Sequence, residues 1–285
     1  MQARPYRQVD VFTATPYLGN PLAVVLDGSG LGDAQMQQFA RWTNLSETAF
    51  LLPPSDPQAD YRVRIFTPGA EMQFAGHPTL GSCHAWLEAG GQPKAAKFVL
   101  QQCGVGLVKI RREPGGRLAF GAPLLKRSAP SATLLARVAR ALGLKADQII
   151  AAQLLDNGTA WLGLLLDNPS TVLQITPAFP QLTELGQKVG VVALQAATSA
   201  DTDTPSAEVR AFAPHMGINE DPVTGSFNAS LAQWLIAEGH APERYVAAQG
   251  TCLDRAGRVF VQRDASGQVW IGGQSVTCIS GSLLI

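Results

Sequence analysis

Apolar and polar residues alternate over 6–13 and again over 61–67, the two-residue period of a half-buried strand. Short apolar runs at 22–26 and 48–52 read as further strands, the second stopped by Pro53 and Pro54. Residues 17–21 have the composition of a turn. Between the two apolar runs the period lengthens. Met36, Phe39 and Ala40 share one face of a predicted helix that Asp33 can cap and that runs to Thr43. A second helix is predicted to start near Pro78, with Leu80, Cys83, His84 and Leu87 on one face and Gly90-Gly91 at its end. Strands at 98–102, 105–111 and 117–120 complete the first half, with a turn at 114–116.

The second half follows the same order. It offers a strand at 160–166, a helix at 179–189, strands at 191–195 and 208–212, and a helix at 224–237 that buries Leu231, Trp234 and Leu235. Arg64-x-Phe66-x-Pro68 returns as Arg210-x-Phe212-x-Pro214. Pro78, Gly81, Ser82, Ala85 and Leu87 match Pro222, Gly225, Ser226, Ala229 and Leu231 at a constant offset of 144, and 106–121 aligns without gaps to 257–272. One unit is written twice. The expected domains are 1–121 and 122–285, with a linker at 122–131 that holds Pro123 and Pro130. Return of a last strand around 275–285 to the first domain stays open. Residues 200–206 read as a polar surface loop. The expected class is α+β: a rolled, mainly antiparallel sheet around a central helix, twice over.

Composition narrows the function. The 285 residues are 46% hydrophobic and 15% charged, with zero formal net charge. No basic stripe appears, so neither nucleic acid nor an anionic membrane surface is an expected partner. The first residues carry Arg4, Arg7 and Asp10 rather than an apolar signal core, and no apolar run is long enough to span a bilayer. The four cysteines show no paired spacing and read as reduced, mostly buried thiols of a cytoplasmic protein. No zinc-ligand spacing, phosphate-binding loop, dinucleotide fingerprint or nucleophile elbow occurs, so no metal or cofactor is expected.

The candidate chemistry gathers at two helix starts. Each offers unpaired backbone N–H groups and the positive end of a dipole, and Gly76 and Gly225 allow a ligand close to the backbone. Were the halves related by a pseudo-twofold, both starts could face one cleft and hold a carboxylate. The plainer reading is that both are caps, with Pro at the first helical position. Asp221 before Pro222 fits either a cap or a carboxylate that orients a substrate amine or hydroxyl; Glu220 beside it competes for that role. His77 stands where a helix dipole disfavours the imidazolium, leaving a neutral ring able to shuttle a proton or donate a hydrogen bond. His84 reads as packing, and His215 and His240 have no context. Glu47 ends the polar loop Asn44-Leu45-Ser46-Glu47 and enters an apolar strand, where partial burial would make it a better base; the alternative is a solvated surface residue.

Residues 9–13 and 19–25 (V-D-V-F-T, G-N-P-L-A-V-V), Ser46-Glu47-Thr48, F-A-G-H-P-T-L-G at 74–81 and E-D-P-V-T-G-S at 220–226 resemble the phenazine-biosynthesis PhzF family, and Gln249-Gly250 and Gly272-Gly273 fit it too. The resemblance covers nearly the whole chain. It implies the diaminopimelate-epimerase fold, two pseudo-twofold-related domains, a homodimer, and no cofactor. It also implies a glutamate that moves a proton on a cyclic substrate, helped by a histidine and an aspartate. Those roles fall on Glu47, His77 and Asp221, with Ser46, Gly76, Thr79, Gly225, Ser226 and Asn20 as substrate-binding residues. Related racemases use a thiol from each half. Here Ala75 or Gly76 and Pro222 stand at those places, and Cys83 lies about two turns into its helix. Many family members read T-G-S-A-H where this chain has Thr224-Gly225-Ser226-Phe227-Asn228, a bulkier residue and a lost histidine that weigh against the phenazine substrate. The expectation is a cofactor-independent isomerase acting on a small anionic, carboxylate-bearing metabolite, cyclic and amino- or hydroxy-substituted in the family's own case. A racemase or epimerase, a lyase, and a non-catalytic metabolite-binding protein are the alternatives.

Overall fold

The computed structural model describes residues 1–195 and 204–285. Residues 200–203 of the expected polar loop lie outside them. The chain divides into two compact units, Met1–Gly121 with Gly272–Ile285, and Ala122–Ile271.

The first unit contains β1 (Ala3–Val11), β2 (Asn20–Val25), α1 (Asp33–Thr43), β3 (Thr48–Leu52), β4 (Tyr61–Phe66), β5 (Glu71–Met72), α2 (Gly76–Glu88), β6 (Phe98–Cys103), β7 (Gly106–Arg112), β8 (Leu118–Gly121) and the C-terminal strand Ser275–Leu284. The C-terminal strand pairs with β1, and the order continues β2, β3, β4, β6, β7, β8. All these pairings are antiparallel except β2–β3 and β4–β6. Parallel neighbours need a crossover, and α1 and α2 are those crossovers. α1 packs Met36 and Ala40 on Val25, Phe50 and Phe66. α2 is buried along most of its length, as a helix enclosed by a rolled sheet must be. Gly81 permits its close approach to the sheet, since a Cβ there would stand 2.7 Å from Leu22 and 2.8 Å from Val11.

The second unit contains β9 (Lys126–Ser128), α3 (Ala132–Leu142), β10 (Ile149–Asp156), β11 (Ala160–Leu166), α4 (Pro169–Gln174), α5 (Phe179–Leu185), β12 (Val189–Leu194), β13 (Ala207–Phe212), α6 (Gly225–Ala237), β14 (Arg244–Gln249), β15 (Gly257–Arg263) and β16 (Val269–Gly273). Its order is β9, β10, β11, β12, β13, β14, β15, again antiparallel except at two places, β11–β12 and β13–β14. α4 and α5 make the first crossover and α6 the second. Val138, Leu142, Val172 and Leu182 pack with Leu162, Leu164, Val189 and Val191 in one apolar cluster. Among the described residues no helix is long and apolar enough to cross a membrane.

Several expectations need correction. The stretch 122–131 is no bare linker, because β9 lies in it and pairs with β10. α3, β10 and α4 lie outside the predicted elements. α5 stops at Leu185 because Gly186 takes a left-handed conformation (φ 61°) as its cap, and the next strand starts early, at Val189. Asp33 is the first residue of α1 rather than its cap; Gly32 caps it, with its N–H held by Gln35. Cys83 and Cys103 are buried, but Cys252 is exposed.

The repeat is also registered differently. α2 starts at Gly76 with Ala75 as cap, and Pro78 is its third residue. Proline fits there because the first turn's N–H groups have no partner inside the helix. α6 starts at Gly225 with Thr224 as cap, leaving Asp221 and Pro222 outside. Helix start therefore matches helix start at an offset of 149, not 144. The connection from β13 to α6 (213–224) is longer than that from β4 to α2 (67–75). The later alignment stands: β7 and β15 both run from a glycine to an arginine.

Candidate active site

Glu47 is placed by what flanks it. α1 ends at Asn44, whose left-handed conformation (φ 55°) turns the chain sharply. Thr48 opens β3, fully buried, with its hydroxyl 3.1 Å from that of Thr43. The intervening loop is short, so Glu47 is pinned from both sides. His77 is the second residue of α2. Its Nε2 lies 3.4 Å from Glu47 Oε2, with side-chain exposures of 5% and 13%. The carboxylate is thus largely withdrawn from water but still reachable. On the other edge of the ring, Asn20 Nδ2 lies 3.4 Å from His77 Nδ1.

Asn20 opens β2 and is buried. The residue before it, Gly19, donates its N–H to the buried carboxylate of Asp10 at 3.0 Å. A Cβ on Gly19 would stand 2.2 Å from the Val11 carbonyl oxygen, so only glycine fits. Ser46 places its hydroxyl oxygen out of solvent with no hydrogen-bond partner among the described residues. Thr79 is fully buried and turned inward. Its hydroxyl donates to the Ala75 carbonyl (2.9 Å) and accepts from Gln101 (3.3 Å), which in turn accepts from Tyr61 (2.6 Å).

In the second unit Asp221 accepts a hydrogen bond from the Thr224 hydroxyl at 2.7 Å. Gln249, the last residue of β14, grips the turn. Its amide donates to the Asp221 carbonyl (3.0 Å) and the Thr224 hydroxyl (2.9 Å). Its oxygen accepts from the Thr224 N–H (3.0 Å) and from Asn228 (2.9 Å). Asn228 also donates to the Thr224 carbonyl at 2.9 Å. Glu220 is separated from Asp221 by its partner. Arg210 holds it bidentately at 2.9 and 2.8 Å, with both side chains 6% exposed or less, and also caps the Val172 and Ile175 carbonyls. Burial works against the Arg210 charge, and the Glu220 bonds outweigh it and raise its pKa. Ser226 accepts from Trp161 Nε1 at 3.3 Å.

Phe227 is wholly buried and faces the sheet, tilted on Trp161 at 5.1 Å. Gly190 in β12 makes its room, since a Cβ there would stand 2.1 Å from the Phe227 ring. The bulkier residue is absorbed by the core. Cys83 is buried and its thiol pKa is pushed up by that burial, the opposite of an activated nucleophile. Among the described residues no group of three or more His, Cys, Asp or Glu side chains could hold a metal. The roles of Gln249, Asn228 and Asp10 in shaping these turns escaped sequence reasoning. For the buried polar residues the available signal was only their position at a strand end or in a helix's first turn.

Two rolled sheets of the same strand order, each around a buried helix, define the diaminopimelate-epimerase-like fold, a fold of isomerases and epimerases. A hydroxyproline epimerase from Agrobacterium vitis shares it at a TM-score of 0.61 and 15% identity, covering 99% of this chain and 91% of its own. A PhzF-family protein from Bacillus anthracis matches at a TM-score of 0.83 and 24% identity over the full length of both. The family model described as phenazine biosynthesis-like protein (PhzC-PhzF) matches residues 9–281, and the chain belongs to that family. Antisense-enhancing sequence 1 of Schizosaccharomyces pombe is 36% identical over 302 residues, and an uncharacterized isomerase of Mesorhizobium japonicum 34% identical over 309, each with full coverage of both chains. The protein is an isomerase of this family.

Proposed function

We propose that this isomerase moves a proton between carbons of a small carboxylate-bearing substrate without a cofactor. Glu47 removes the proton and returns it; His77 holds the Glu47 carboxylate and steadies charge on the substrate. The observation that carries this is the buried pair itself, His77 Nε2 at 3.4 Å from Glu47 Oε2. A carboxylate of low exposure beside one imidazole is equipped for general acid–base chemistry. The N–H groups of the first turn of α2, from Gly76, suit the substrate's carboxylate, and the Ser46 hydroxyl suits a polar substituent. By the family resemblance, Asp221 orients an amine or hydroxyl of the substrate, and Gly225 and Ser226 contribute to its binding.

The test is incubation with a metabolite mixture in D₂O, with mass spectrometry to find which compound gains deuterium. Glu47→Gln is expected to lower that exchange by ~10²–10⁴-fold while binding of the identified substrate persists. Full exchange in Glu47→Gln would remove Glu47 as the base. Deuterium at a stereocentre with no shifted double bond would make the enzyme an epimerase.

A further inference from the structure

The two ring nitrogens of His77 face different groups. One ring nitrogen faces the Glu47 carboxylate and the other faces the Asn20 amide nitrogen, both at 3.4 Å. A neutral imidazole carries a single N–H, so its two nitrogens must play opposite parts. An amide NH₂ only donates, so Nδ1 must accept. The proton then sits on Nε2, the nitrogen 3.4 Å from the Glu47 carboxylate. The reverse tautomer would set a lone pair of Nε2 against the carboxylate and an N–H of Nδ1 against the amide donor. Both contacts would be repulsive.

We propose that Asn20 is a positioning residue: its amide fixes His77 as the Nε2–H tautomer, and that N–H orients the Glu47 carboxylate. The family motif places Asn20 beside the ligand, but the residue is 1% exposed and its amide nitrogen faces the ring. Its backbone is fixed as well. The Asp10 carboxylate holds the preceding N–H, Gly19 admits no side chain, and Asn20 itself pairs with Val11. Asp10, Asn20, His77 and Glu47 form a line in which each group sets the next. The catalytic meaning of this line rests on Glu47 being the base, but the tautomer does not.

Nitrogen-15 NMR of histidine-labelled protein near neutral pH, without substrate, tests it. In the wild type, Nδ1 is expected to show the shift of an unprotonated ring nitrogen and Nε2 that of a protonated one. Asn20→Asp replaces a donor by an acceptor, so Nδ1 should become protonated. Asn20→Ser, whose hydroxyl can still donate, should retain the wild-type pattern. A wild-type ring protonated on Nδ1, or an Asn20→Asp ring still unprotonated there, overturns the proposal. The wild-type spectrum decides even if a variant fails to fold. Once a substrate is known, Asn20→Asp should lower kcat and alter its pH profile more than it alters KM. A correct tautomer together with a fully active Glu47→Gln enzyme would sink the proposed function and leave this assignment standing.

Discussion

The first turns of α2 and α6 can be compared residue by residue. In both, the fourth residue, Thr79 or Asn228, donates to the carbonyl of the cap, Ala75 or Thr224. In both, a glutamine from the following strand, Gln101 or Gln249, grips that fourth residue. The second residue differs. In α2 it is His77, facing Glu47 just before β3; in α6 it is Ser226, bonded to Trp161, and the residue just before β12 is Lys188. Lys188 lies over the Trp161 ring at 5.7 Å. The scaffold of the turn is duplicated and the titratable pair is not. A duplicated fold can thus carry an asymmetric site, because the turn geometry depends on backbone bonds that several side chains can satisfy. The Glu47–His77 contact depends on two particular ones.

The largest expected effect breaks that asymmetry directly: Glu47→Gln should cost the ~10²–10⁴-fold of proton exchange described above. Next comes the pair of arginines. Arg64 and Arg210 each stand 5.1 Å from the centre of the phenylalanine ring two residues on and each chelate a glutamate. The Arg210–Glu220 pair is buried, whereas Arg64 meets Glu71 and Asp33 with acid exposures of 37% and 84%. Glu220→Gln should destabilise by about 3–5 kcal/mol, because it strands a buried guanidinium. Glu71→Gln should cost about 0–1 kcal/mol in the same urea titration. Equal losses would mean the two copies are energetically alike.

Packing gives a smaller effect. Gly190→Ala drives a methyl group into Phe227 and should cost about 1–3 kcal/mol. In a Phe227→Leu background the added cost should shrink. If the two changes simply add, Gly190 does not make the room for Phe227. The third residue of α2 is Pro78, so the first unit has no such ring to accommodate.

The smallest effect is a pH slope. His84 sits beside Glu88 and Thr277, and burial lowers its pKa below the ordinary 6.5, against the pull of Glu88. The unfolded chain therefore binds the proton more readily than the folded one. Stability should be unaffected well above pH 6.5 and fall as pH drops through that value towards the lower folded pKa. His84→Gln should flatten that slope in unfolding curves taken across the window.

Much of this architecture is legible in the sequence. The pattern places β3 with its observed ends, and α1 and α6 nearly so, because an apolar period and a flanking proline or turn residue are local signals. The outer helices α3 and α4 and the edge strand β9 were missed, since their partners lie on distant strands and their own patterns are short. The repeat is visible too, but its matching residues stand five positions out of register with the helix starts. Identical residues at a constant spacing cannot show that the second connecting loop is longer.

For the site, the sequence determined which chemistries were present: one carboxylate entering a strand, one imidazole at a helix start, and no thiol at either start. Those are facts of residue type and local pattern. Only tertiary structure decided that Glu47 and His77 lie 3.4 Å apart and that Asn20 closes on the other edge of the ring. It also decided that Glu220 belongs to Arg210 while Asp221 belongs to Thr224. The physical reason is that a hydrogen bond or ion pair acts over a few ångströms, and the sheet brings together groups that lie far apart along the chain. No local period records those distances.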